Sequence, residues 1–271
     1  MFRGTRDTHT FGAAADGALE LASHPPGAWA DPSGTHRLAR GERRASGGLD
    51  VLLVRWPART DSASALRGVA AGDASGLATA ELERRATVVA EPPGWRHLWD
   101  IGDSEIYRAA GGGIECNTHA DVGIVKHPVD FPLTDTTRLR WSWRVDGLPS
   151  ELAEDTLPTH DYLSIALEFD NGHDLTWHWS AELSPEHSYS CPIPAWRERE
   201  TRLVVRGGQA DLGRWVSEER TVRRDYATAV GPPPDRIVGV WLIAVSLFQR
   251  GAGSCVYEGI ELRDGERVVR V

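Results

Sequence analysis

The chain has 271 residues, enough to bury a sizeable core in one all-β domain or in one domain with an irregular extension. It carries 30 basic against 39 acidic residues, a net charge of −9. That balance argues against a nucleic-acid backbone or an anionic membrane as partner, and no basic cluster offsets it.

Residues 1–48 are rich in Gly, Ala, Pro, Ser and Arg and poor in large apolar side chains, so burial cannot offset their ordering entropy and a flexible arm or loose wrap is expected. They include no apolar h-region, and no later run reaches transmembrane length, so the expectation is a cytoplasmic protein. Val51-Leu52-Leu53-Val54 reads as a short buried strand, and Ser75 to Ala86 as a helix capped by Asp73 or Ser75. Pro92-Pro93-Gly94 then punctuates the chain. The boundary is drawn there, with residues 1–90 an irregular N-terminal region and 91–271 a β-sandwich domain.

Short β-type runs follow, separated by turn residues: Glu105 to Ala109, Gly113 to Asn117, Val122 to His127, Leu139 to Val145, Thr201 to Arg206, Ile237 to Leu247 and Cys255 to Leu262. Their regular spacing predicts an antiparallel sandwich rather than an α/β fold. One helix is expected among them, from Glu218 to Val230, capped by Ser217 and stopped at Gly231-Pro232-Pro233-Pro234. The three cysteines, Cys116, Cys191 and Cys255, are widely spaced and read as buried free thiols.

Asp161 to Ser180 predicts a hairpin about Asn171-Gly172. With a two-residue turn, Glu168 faces Leu175, Ala166 faces Trp177 and Ser164 faces Trp179, all on one side. Leu163, Ile165, Leu167 and Phe169 take the other, which looks like the core. In this register His178 points away from Glu168, and a one-residue bulge would reverse that.

Leu139-Arg140-Trp141-Ser142-Trp143-Arg144-Val145, Asp161-Tyr162, Arg206-Gly207-Gly208, Trp215, Asp225-Tyr226 and Pro232-Pro233-Pro234 before Ile237-Val238-Gly239-Val240 occur in that order. Together they resemble the bacterial domain of unknown function 3047 family over roughly residues 95 to 265. The resemblance implies a jelly-roll-like β-sandwich, with no settled activity to transfer. The apolar stretch Ala244 to Phe248 departs from that family's polar pattern, and divergent sandwiches of this kind look like stand-alone cyclases of bacterial polyketide biosynthesis.

Eleven tryptophans are the loudest compositional signal. Trp141 and Trp143 read as core, whereas Trp177 and Trp179, beside small Ala166 and Ser164, would floor a groove for a conjugated ligand or a sugar ring. Glu168 among those indoles would have its pKa raised and act as general acid or base. The expected catalytic set is Glu168, His178 and Arg144; the expected substrate-binding set is Tyr162, Ser164, Trp177, Trp179, Ser142, Arg206 and Trp241. Arg144 and Ser142 would hold an enolic oxygen or carboxylate. His119 with Asp121, and His160 with Asp161, lack a third partner at a telling spacing, so no metal and no cofactor are expected. No phosphate-binding loop, dinucleotide fingerprint, HExxH or nucleophile elbow occurs. The functional expectation is a cofactor-independent cyclase or isomerase acting on an apolar, oxygenated small molecule of polyketide type. The alternative is a non-catalytic carbohydrate-binding module.

Overall fold

The computed structural model describes residues 8, 10, 17–19, 50–57, 59–86, 91–101, 106–194 and 196–271. The expectation for residues 1–48 therefore falls almost wholly outside the described residues. Among the described residues two helices come first, α1 Ser62–Ala70 and α2 Leu77–Ala86, and they pack on each other. Asp61 caps α1 by accepting from the Ser64 amide at 2.9 Å, and Asp73 accepts from the Ala78 amide at 2.8 Å at the start of α2. Val51 to Val54 is not a buried strand. Those four side chains are exposed, Leu52 at 81%, and among the described residues no strand pairs with them.

Thirteen strands follow among the described residues: β1 Arg96–Ile101, β2 Tyr107–Ala110, β3 Gly113–His119, β4 Val122–Pro132, β5 Arg138–Gly147, β6 Tyr162–Phe169, β7 Asp174–Ser180, β8 Ser188–Ser190, β9 Glu200–Gly207, β10 Trp215–Thr221, β11 Arg236–Val245, β12 Ala252–Asp264 and β13 Arg267–Arg270. They form two sheets. The large one runs β1-β4-β11-β6-β7-β9-β8; the small one runs β10-β5-β12-β3-β2, with β13 on β12. The fold is an all-β sandwich, as the spacing of strands and turns predicts. Every pairing is antiparallel except β7 with β9, because β8 lies at the edge and β9 inserts between it and β7.

The core lies between the sheets and is tryptophan-rich. Trp141 and Trp143 of β5 meet Trp177 and Trp179 of β7, with ring centroids 6.4 Å apart for Trp141–Trp177 and 5.6 Å for Trp143–Trp179. Buried indole N–H groups need acceptors, and three find them beyond the core: Trp177 Nε1 donates to Asp225 at 3.0 Å, Trp179 Nε1 to the Gly208 carbonyl at 2.9 Å and Trp143 Nε1 to Glu218 at 3.4 Å.

The predicted helix from Glu218 is shorter and later. Residues 215–221 pair with β5 along their whole length, and α3 occupies Val222–Ala229. Sheet pairing overrides the helical propensity of Glu218 to Arg220. Val222 and Tyr226 are nonetheless buried on one side, and Gly231, at φ +137, stands past the end.

Candidate functional site

The hairpin register decides what the outer face of the large sheet presents. Asn171-Gly172 does form the turn, but the loop has three residues, Asp170 to Gly172, with Phe169 opposite His173. The Gly172 amide donates to the Phe169 carbonyl at 2.9 Å and the Phe169 amide to the His173 carbonyl at 3.0 Å. Of the two turn residues only Gly172, at φ +77, is left-handed. This is the type I turn followed by a glycine bulge, rather than the two-residue turn. The one-residue difference flips all of β7. Ile165 therefore faces Trp177 and Leu163 faces Trp179, inside the core, while Ser164 faces His178, Ala166 faces Thr176 and Glu168 faces Asp174 outside it.

The expected indole-floored groove is corrected accordingly: Trp177 is fully buried and Trp179 is 1% exposed, both within the core cluster. Leu163, Ile165, Leu167 and Phe169 are core residues as expected. His178 joins the face of Glu168, the outcome a shifted register entails.

Outside the core, residues of neighbouring strands line up in rows. Glu168, Asp174 and Glu200 make one row across β6, β7 and β9. The next row holds Lys126, Trp241, Ala166, Thr176 and Arg202, and a third holds Ile124, Ile243, Ser164, His178 and Val204. On the β4 and β11 side the face is apolar, with Val122, Ile124, Tyr162, Ala166, Trp241, Ile243 and Val245 clustered and Leu247 and Phe248 packed against them. On the β7 and β9 side it is polar and still buried: Asp174, Thr176, His178 and Arg202 are each at most 1% exposed.

Two of the three carboxylates in the first row are paired with cations. Lys126 Nζ donates to Glu168, which also accepts from Trp241 Nε1 at 3.2 Å. Arg202 bridges to Glu200 at 2.9 Å, donates to the Tyr162 hydroxyl at 2.6 Å, and lies 3.8 Å from the Tyr162 ring centroid. Among the described residues neither oxygen of Asp174, between them, has a hydrogen-bond partner. Burial, and then the charges of Glu200 and Glu168, push its pKa up to about 8. The other unpartnered atoms of the strip are Thr176 Oγ1, His178 Nδ1, and Nε and Nη1 of Arg202. Burial and then Arg202 push the His178 pKa down to about 3, so its ring is neutral, with the Tyr189 hydroxyl 3.2 Å from Nε2.

Of the expected site residues, Glu168, His178, Tyr162, Ser164 and Trp241 share this face. Arg144 and Ser142 do not: they lie on the outer side of the small sheet, Arg144 paired with Asp146 at 2.9 Å and Ser142 2.8 Å from Ser217. Arg206 is held by Glu218 at 2.6 Å and Asp211 at 3.2 Å, toward the small sheet. Asp121 is engaged by Thr118 and Ser246, while Asp161 accepts from the Phe248 and Gln249 amides at 2.9 and 2.7 Å.

Sequence reasoning missed Asp174, Thr176, Arg202 and Lys126. Lys126 left a signal, being the only lysine among 30 basic residues. The alternation of β7 left another, since Asp174, Thr176, His178 and Ser180 are all polar while Leu175, Trp177 and Trp179 are not.

No curated protein matches the chain. Among solved structures it is similar to the xyloglucanase domain of NopAA, a type three effector from Sinorhizobium fredii, at 8% identity and TM-score 0.40, over 67% of this chain and 95% of that one. The catalytic domain of Humicola grisea Cel12A is similar at 10% identity and TM-score 0.39, over 64% and 95%. The family 11 carbohydrate-binding module of the Clostridium thermocellum cellulase Lic26A-Cel5E is similar at 12% identity and TM-score 0.29, over 65% and 95%. Likeness of this extent transfers no residue role, and nothing among these comparisons supports the likeness to polyketide cyclases. The model of the family described as Protein of unknown function (DUF3047) matches residues 104–261, more than half of the sequence, and the chain belongs to that family.

Proposed function

We propose that the outer face of the large sheet binds a neutral, hydroxyl-rich small molecule of saccharide type. The observation that carries this reading is the strip of buried polar atoms without partners on β7 and β9, contributed by Asp174, Thr176, His178 and Arg202. A buried polar group left unpaired costs about 1–3 kcal/mol. Four such side chains on two adjacent strands pair with a ligand that displaces the Tyr162, Tyr189 and Cys191 side chains lying against them, entering from the edge where Glu168 and Lys126 are 23% and 15% exposed.

The charges around the strip select the kind of ligand. Lys126 and Arg202 balance Glu168 and Glu200, and Asp174 is protonated at neutral pH, so neither a cation nor an anion is favoured. A hydroxyl both donates and accepts and can serve Asp174, Thr176, His178 and Arg202 alike. Trp241 and the apolar band beside the strip offer a surface for the C–H face of a ring. An apolar polyketide-type ligand of a cyclase or isomerase would meet that band and leave the polar strip unpaired.

The test is calorimetric titration of the full chain with linear glucose, xylose and galactose oligosaccharides and, as contrast, an apolar polyene. Saturable binding of an oligosaccharide is expected. Thr176→Val should weaken it about tenfold, the worth of one hydrogen bond. Binding of the polyene alone would reverse the reading.

A further inference from the structure

We propose that the outer face of the small sheet carries a second binding site, for an acidic oligosaccharide of uronic-acid type. It shares no residue with the outer face of the large sheet and does not rest on the reading of that face. Leu139, Trp141, Trp143 and Val145 of β5 point into the core, so Arg138, Arg140, Ser142 and Arg144 point out, and the pairing with β10 sets Thr221, Glu219, Ser217 and Trp215 beside them. A groove of about 370 Å³ runs over this face, with Arg140, Ser142, Ser217, Glu219, Gly259 and Glu261 among its walls. Gly259, at φ +61 in the bulge of β12 between Glu258 and Glu261, adds no side chain to it. Unlike the strip on the large sheet, these groups are open to solvent: the Arg140 side chain is 43% exposed and that of Glu219 46%.

Three features select the ligand. Trp215 is 45% exposed, with Arg144, fixed by Asp146, 5.8 Å from its ring centroid. An indole left open at a sheet edge offers a flat apolar partner to the C–H face of a sugar ring. Ser217 follows two residues on, its hydroxyl 2.8 Å from that of Ser142, and the pair retains donors and acceptors for sugar hydroxyls. Beyond them Arg140 bridges Glu219 and Glu261, Arg138 lies 3.9 Å from Glu219, and Arg263 and Arg270 lie 3.4 and 3.7 Å from Glu261. Four guanidinium groups thus surround two carboxylates. Counting Glu258, opposite Ser142, still leaves positive charge in excess, in a chain of net charge −9. Guanidinium groups that outnumber their partners take a further carboxylate. At about 3.4 Å of rise per residue, Trp215 and Glu219 stand about 14 Å apart along β10, so one run of sugar rings spans the indole and the arginines.

The experiment is calorimetric titration of the full chain with a galacturonate oligosaccharide, its neutral galactose counterpart and, as contrast, single-stranded oligothymidylate. Saturable binding of the uronate is expected, weakening as salt is added. Trp215→Ala and Arg140→Gln should each weaken it about tenfold. Arg197→Gln, which removes the same charge from an exposed position on the loop before β9, should leave the affinity unchanged. No saturable uronate binding, or wild-type affinity in both groove variants, would overturn the site. Should a groove variant fail to fold, the wild type still decides the ligand: uronate binding that salt does not weaken, or that the neutral counterpart matches, overturns the acidic class. Tighter binding of oligothymidylate would make nucleic acid the occupant and overturn the proposal as well. Neutral-oligosaccharide binding that Thr176→Val weakens reports on the large sheet alone, so the two faces stand or fail separately.

Discussion

Trp177 joins the two layers of the molecule through one side chain. Its ring packs on Trp141 of the opposite sheet, and its indole N–H donates to Asp225, which Arg220 also engages at 2.6 Å. Trp177→Ala removes a large buried ring and takes a donor from a carboxylate that is only 4% exposed. The expected loss is about 3–5 kcal/mol, and Ile165→Ala, facing Trp177 in the same core, should lose about 2–5 kcal/mol. Urea denaturation measures both. A Trp177→Ala protein that kept its stability and lost only ligand binding would mean that the indole faces the ligand, as the two-residue turn predicts. At this scale the sequence was legible for β6, whose apolar side chains alternate without ambiguity, and misleading for β7. Asn-Gly occurs in two-residue turns and in the three-residue loop with a bulge, so turn chemistry alone does not count the loop. The polar alternation of Asp174, Thr176, His178 and Ser180 carried the register that the turn did not.

Among the elements, β11 shows how backbone serves the candidate site. Gly239 lies opposite Glu168, and a Cβ there would meet Lys126 Cε at 2.7 Å, Glu168 Oε2 at 3.0 Å and Trp241 Nε1 at 3.1 Å. Glycine is what lets those three side chains converge over the strand. Gly239→Ala should therefore displace the Lys126–Glu168–Trp241 contacts and weaken saccharide binding about tenfold or more, while its stability cost stays near 1–3 kcal/mol because flexible side-chain ends give way first. Unchanged affinity in calorimetry would remove Glu168 and Trp241 from the binding surface. No sequence pattern announces such a glycine, since the close approach joins residues 126, 168 and 239, far apart in the chain. The strand β10 was hidden for a related reason: Ser217 to Arg220 reads as a helix start, and only pairing with β5 makes it an edge strand.

For the whole molecule, burying a polar strip on the outside of a sandwich sets how stability depends on pH. Asp174, with a folded pKa of about 8 against an ordinary carboxyl value of 3.8, and Glu154, at about 7 against 4.5, are both raised first by burial. Each binds more protons in the folded state between those limits, so unfolding becomes easier as pH rises through the window. The buried histidines act in the opposite sense. His160 and His178 are held neutral by burial, their folded pKa values lying below 6.5, so they favour unfolding as pH falls below the ordinary histidine range. Above about pH 7 the histidines are largely neutral in both states, and the carboxyls decide the slope together with the Cys116 and Cys191 thiols, which burial also pushes up. Thermal stability should accordingly decline from pH 7 to pH 8.5. In Asp174→Asn, which carries no ionisable group at that position, the decline above pH 7.5 should become shallower, the thiols alone sustaining the rest, and the variant should melt higher than wild type at pH 8.5. Scanning calorimetry of the two proteins across that range decides it: parallel curves would mean that Asp174 is solvated or paired in solution, and the buried strip would then lose its central member.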